Sequence, residues 1–120
     1  MGSNGRAALS EIPSAIADTE SLYRRIHPDH VKPDGSLSSQ AFRDPEMSVD
    51  RAEYCTPDQT LHGYPTHGVS AFLASFARQQ AQQVVSAPEL FNPAHALVNG
   101  AKSKSVARAF ARTATWIIKI

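Results

Sequence analysis

The chain has one cysteine, Cys55, in 120 residues. A single thiol forms no internal disulfide, so nothing points to a small scaffold stapled for secretion. No apolar run reaches the ~18 residues that a transmembrane helix needs. The opening Met1-Gly2-Ser3-Asn4-Gly5-Arg6 lacks an apolar core, so no signal peptide is expected and the expected location is the cytoplasm. Acidic residues are missing from the last third: none follows Glu89. No Gly-x-Ser-x-Gly elbow is present, so a hydrolase of that type is not expected. A strong overall field is also lacking, since the net charge is +1, which disfavours a general nucleic-acid or membrane binder.

What is there belongs to a globular chain. Hydrophobic residues make up 42% and charged residues 19%, so the chain can bury a core. Its length predicts one domain, expected over residues 13–120 behind a flexible terminus at 1–12. Charge is unevenly spread. Met1 to Glu89 holds seven Lys/Arg against eleven Asp/Glu, whereas Leu90 to Ile120 holds five Lys/Arg and no acid. That asymmetry fits a basic part that packs beside an acidic part, or one that meets an anionic partner.

Taken in order, Ser14 to Glu20 reads as a short helix with Ser14 as its cap. Ser21 to Ile26 reads as a strand, ended by His27-Pro28 because the residue before proline is held extended. Pro33-Asp34-Gly35-Ser36 is a turn, and Ser38 to Phe42 a short extended piece. Thr56-Pro57-Asp58-Gln59 carries the signature of a capping box with proline at the first helical position. Val69 to Phe76 fits both a helix and a buried strand. The strand is the preferred reading, with Ala77 to Gln82 as a tight connection into a hairpin with Gln83 to Ser86. Pro93 to Asn99 is another strand, Gly100 a turn, and Ser103 or Ser105 the cap of a final helix. Val106, Ala109, Phe110, Thr113 and Ile117 form its expected buried stripe, and Lys104, Arg108 and Arg112 its basic side. The tail from Trp116 to Ile120 is β-branched and expected to be extended.

Three constellations carry candidate chemistry. The turn before the last helix sets Lys102, Ser103 and Lys104 at a helix N-terminus, with Arg108 a turn further on. Exposed N–H groups and cations favour an anion there. A P-loop is excluded, because Ala101 stands where that motif needs the glycine before its lysine. Cys55, His62 and His67 are potential zinc ligands in kind, but their spacing matches no zinc motif, so no metal site is assigned. Asp44, Glu46 and Asp50 would transfer protons only beside a cleft, and Asp50 serves equally well as the cap of the following turn.

Several segments together resemble an uncharacterised family of small bacterial α+β proteins. They are Leu22 to Pro28, Ser38 to Phe42, Asp44 to Asp50 and Asn92 to Gly100, and the likeness spans about residues 22 to 116. The resemblance carries no activity with it. The Leu-Tyr-Arg opening followed by a Ser-containing segment is also similar to ADP-ribosyltransferase-type NAD-processing domains. That likeness implies that Arg24 or Arg25, and Ser38 or Ser39, hold NAD, with a later catalytic glutamate. The one acid after Asp58 is Glu89, in a proline-bounded loop rather than on a strand.

The sequence therefore predicts an α+β domain: a small, mostly antiparallel sheet with short helices and a C-terminal basic amphipathic helix. The leading expectation is a non-enzymatic accessory domain that binds another protein and needs no cofactor. The alternative is a small NAD- or nucleotide-processing enzyme using Arg24, Arg25, His27, Ser39 and His95. Phosphate or RNA binding by the last helix is the third reading.

Overall fold

The computed structural model describes residues 12–120, so the terminal segment expected to be flexible falls almost wholly outside the described residues. Among these residues six strands form one antiparallel sheet. They are β1 (Ser21–Ile26), β2 (Glu46–Arg51), β3 (Gly68–Leu73), β4 (Gln83–Ser86), β5 (His95–Asn99) and β6 (Thr115–Ile118), in the order β4-β5-β2-β1-β3-β6. The helices are α1 (Pro57–Thr60), α2 (Ala74–Gln79) and α3 (Lys104–Thr113). The architecture is the expected α+β one.

Strand alternation sends successive side chains to opposite faces. Leu22, Ile26, Met47, Val49, Phe72, Ala96 and Val98 are buried on one face. α2, α3 and the 3₁₀ turn Ser39–Phe42 supply the other wall of that core, through Ala74, Ala77, Ala107, Phe110, Ala41 and Phe42. Phe42 and Phe110 stack at 5.8 Å, and Phe72 and Phe76 meet Phe110 edge-on at 4.9 and 5.0 Å. Fully burying a side chain such as Phe110 contributes roughly 1.5–3 kcal/mol. The opposite face of the sheet carries Tyr23, Arg25, Ser48, Asp50 and His95, and there the functional groups gather.

Four local expectations change. Ser14 to Glu20 is not a helix. The carbonyls of Ala15 and Ile16 accept from Arg51 and Arg78 at 3.1 and 2.6 Å, bonds to distant side chains in place of a helical ladder. Ser38 to Phe42 is not extended. Ser38 caps a 3₁₀ turn, its side chain accepting from the Gln40 N–H at 3.2 Å, and the turn drives Ala41 and Phe42 into the core. β3 and β4 do not form a hairpin. The stretch is strand to Leu73 and helix from Ala74, and the helix carries the chain to the far edge, where β4 pairs with β5. Small residues make that route available, since Ala74 and Ala77 are wholly buried. The stripe on α3 runs through Val106, Ala107 and Phe110, while Thr113 and Ile117 are exposed. Helical spacing stops at Thr113, where the chain re-enters the sheet as β6. That return needs Gly68, because a Cβ there would stand 2.5 Å from the Ile118 carbonyl oxygen.

Several local expectations hold. The capping box of Thr56 and Gln59 is formed in both directions, at 2.9 and 3.2 Å. Ser103 is the cap of α3, accepting from the Val106 N–H at 3.2 Å. β1 ends at Ile26, just before His27-Pro28, as expected, and the tail is extended.

Candidate functional site

β1 pairs with β3 over six positions but with β2 only at Leu22↔Arg51 and Tyr23↔Asp50. Beyond Tyr23 the two strands part. Arg24, on the core-facing side of β1, bridges the gap: its Nε donates to the Ala41 carbonyl and its Nη1 to the Ser48 carbonyl, both at 3.0 Å. Burial lowers the pKa of its guanidinium, with Asp44 opposing that shift and Arg25 adding to it. On the open face, where the strands part, lies a cleft of about 530 Å³ lined by Tyr23, Arg25, Ser48, Asp50, Thr60 and His95 among others.

The floor is polar and ordered by hydrogen bonds. Asp50 is 5% exposed, and its two carboxylate oxygens accept from Thr60 Oγ1 and Asn92 Nδ2, each at 2.8 Å. α1 brings Thr60 there, and the capping box that starts α1 sets its place. His95 lies across from Asp50 in the β2–β5 register. Its Nδ1 is 2.8 Å from the Ala87 carbonyl oxygen and its Nε2 is 3.1 Å from Ser48 Oγ. A carbonyl oxygen only accepts, so Nδ1 carries the proton. In the neutral ring Nε2 is then the acceptor, and the Ser48 hydroxyl donates to it. Glu89 Oε2 stands 4.0 Å from the same Nδ1.

A second cluster forms the rim. The Arg25 guanidinium lies 3.6 Å from the centroid of the Tyr64 ring, and its Nη1 donates to the Thr60 carbonyl at 3.1 Å. Among the described residues it makes no ion pair with a carboxylate. His67 meets Tyr64 at 5.1 Å and His27 at 5.0 Å, and His27 meets His30 at 5.7 Å. Burial lowers the pKa of His30, followed by repulsion from His27 and Arg24, with Asp29 opposing. Burial likewise lowers that of His67, followed by repulsion from His27 and Arg25. The rim is thus a cation beside a cluster of imidazoles, and among them the protonation of His30 and His67 is disfavoured. Among the described residues no group of His, Cys, Asp or Glu is arranged to hold a metal ion.

Of the residues singled out from the sequence, Arg24, Arg25, His27 and His95 all line this cleft. The two arginines do so from opposite faces of β1. Ser39 does not line it. It borders a separate cleft of about 530 Å³ with Lys32, Arg108, Arg112 and Trp116. Lys102 is 8% exposed, and its Nζ donates to the carbonyls of Val98, Gly100 and Pro45 at 2.8, 3.2 and 3.5 Å. Burial lowers its pKa, with Asp44 opposing and Arg24 adding. It closes the turn between β5 and α3, while Lys104 is exposed on the first turn of α3.

Sequence reasoning overlooked Ser48, Tyr64, His67, Thr60 and Asn92 as members of one site. A signal for Ser48 was present. Ser48 and Asp50 are two apart on a strand and therefore share a face, and Asp50 had already been marked. The partners from the loops left no such signal.

Fold and cleft together define an α+β domain with a polar, His- and Arg-lined pocket on the uncovered side of its sheet. No protein family, curated protein or solved structure matches the chain. Among the described residues no helix is long and apolar enough to cross a membrane.

Proposed function

We propose that this chain is a small enzyme that binds a phosphate-bearing molecule of the nucleotide class in the open-face cleft. One observation carries the reading: Arg25, free of any carboxylate among the described residues, shares a cleft with an oriented His95. A planar guanidinium held by a ring and a carbonyl suits an anionic group. Tyr64 and Phe91, which also line the cleft, offer ring surface to a base. Glu89 also lines the cleft, and NAD, the ligand that the likeness to ADP-ribosyltransferase-type domains implies, is one candidate. Ser39 has no part in this reading, and Ser48 is the serine that faces the cleft.

Calorimetric titration with AMP, ADP-ribose and NAD tests the proposal. At least one is expected to bind, and Arg25→Ala to weaken it by about tenfold or more, the value of a charge-assisted hydrogen bond. Absence of binding for all three, or affinity indifferent to Arg25→Ala, overturns it.

The second reading, a domain that binds another protein, draws on a different feature. Leu90 and Phe91 are 82% and 90% exposed at a tight turn closed by Glu89 and Asn92, whose backbones bond each other at 3.1 Å both ways. Adjacent exposed apolar residues at a hydrogen-bonded tip suit a protein contact. A Leu90→Ser variant that keeps its nucleotide affinity but loses a purified partner supports this reading. A partner retained by the variant counts against it.

A further inference from the structure

The geometry points to Ser48 as a nucleophile and His95 as its general base, with an acyl group on a phosphate-bearing carrier as the substrate class. This rests on the proposed cleft function and names the chemistry of that site.

Three features converge on the assignment. First, the Ser48 hydroxyl and His95 Nε2 are at 3.1 Å, within the reach required of a nucleophile and its base. Second, the base is oriented by a third group. The Ala87 carbonyl at 2.8 Å from Nδ1 selects the tautomer in which Nε2 is unprotonated. Third, the Glu89 carboxylate, 4.0 Å from Nδ1, lies where it stabilises the imidazolium once the proton has moved. Ser48 is exposed at the cleft, so a substrate can reach its oxygen. Such constellations are recognised by geometry and roles, not by sequence order, which explains why no elbow motif marks this one.

The step is as follows. Ser48 Oγ attacks the carbonyl carbon of an ester or thioester, and its proton passes to His95 Nε2. The bond from that carbon to the carrier oxygen or sulfur breaks, and the carrier leaves with the proton returned by His95. Water, deprotonated by the same Nε2, then attacks the acyl-serine. The acid is released and Ser48 regains its proton. Ester and water become acid and alcohol, or thioester and water become acid and thiol, with no oxidant or further reactant. Arg25 holds the phosphate of the carrier at the rim.

A fluorophosphonate probe tests this on the full chain. Ser48 Oγ forms a bond to phosphorus and fluoride leaves, which gives a stable mass increase on the protein. One adduct is expected, mapped to Ser48 by peptide mass spectrometry. Ser48→Ala is expected to abolish it, His95→Gln to slow it at least tenfold, and AMP to slow it in the unmodified chain. No adduct, an adduct elsewhere, or equal labelling of Ser48→Ala overturns the nucleophile. Labelling indifferent to AMP overturns the carrier class. Binding of AMP to Ser48→Ala, measured by calorimetry, separates the two proposals: if it persists while the unmodified chain fails to label, the cleft binds nucleotide without this chemistry. If the chain labels at Ser48 but AMP does not bind, the nucleophile stands and the nucleotide reading falls.

Discussion

Arg24 and Arg25 are neighbours in the chain and serve opposite sides of the sheet. Arg24 is spent on structure: two backbone carbonyls from different elements hold its guanidinium where β1 and β2 part. Arg25 lies against Tyr64 and one carbonyl at the rim of the cleft and makes no ion pair among the described residues. Arg51 extends the contrast. It is wholly buried, bonded twice to Glu20 and twice to carbonyls of the segment before β1. The covered side of the sheet turns its cations inward on fixed partners, whereas the open side keeps one available. Where a cation's hydrogen bonds are already used by its own chain, it supports the fold, and where some remain, it can support a ligand.

The largest effect should come from breaking the buried pair. Glu20→Ala strands the Arg51 guanidinium without its carboxylate and should lower unfolding free energy by about 3–5 kcal/mol in urea denaturation. A loss below about 1 kcal/mol would place this pair with surface ion pairs instead. The exposed pair of Arg78 with Asp18 supplies the control, and Asp18→Ala should cost less than about 1 kcal/mol.

Next in size is the contrast between the adjacent arginines. Arg24→Ala leaves two carbonyls without their donor and should destabilise by about 1–3 kcal/mol. Arg25→Ala should cost about 1 kcal/mol or less in stability, yet it is the variant expected to lose ligand affinity. A melt that ranks Arg25 above Arg24 would reverse the roles assigned here.

The smallest effect concerns pH. The folded-state pKa values of His30 and His67 lie below the ordinary 6.5, so between those values the unfolded chain binds more protons than the folded one. Stability should therefore fall as pH drops below 6.5, and level off once the folded rings are also protonated. A His30→Asn/His67→Asn variant should lack this step. Glu20 adds a separate one at lower pH. Burial alone would raise its carboxyl pKa, but hydrogen bonds from Arg51 and the Ala17 N–H outweigh it and hold it below the ordinary 4.5. Its contribution is complete above 4.5 and is lost as pH falls through the folded value. Equilibrium denaturation across pH, with Glu20→Gln alongside, separates the two steps.

Legibility followed the range of the interaction. The cap of α3 at Ser103, one of the two serines the sequence offered, the capping box at Thr56 and the end of β1 at His27-Pro28 all depend on residues within a few positions of one another. The stretch from Val69 onward carried both periods because it is a strand that becomes a helix at Ala74, and no single period describes it. The Ser14 to Glu20 segment failed as a helix because distant arginines take its carbonyls: Arg51, some 36 positions away, bonds Ala15, and Arg78 bonds Ile16. In the candidate site, alternation along β2 puts Ser48 and Asp50 on one face, but their partners come from β5, α1 and the loop before β5.

The amino-acid order thus determined the α+β class, the caps of α1 and α3, most strand positions and the alternation that separates Arg24 from Arg25, because these follow from local backbone chemistry. Tertiary structure decided the strand order, the parting of β1 from β2, and the meeting of Ser48, His95 and the Ala87 carbonyl. Those depend on which strands become neighbours, and pairing between distant segments is set by burial over the whole sheet rather than by any one stretch of chain.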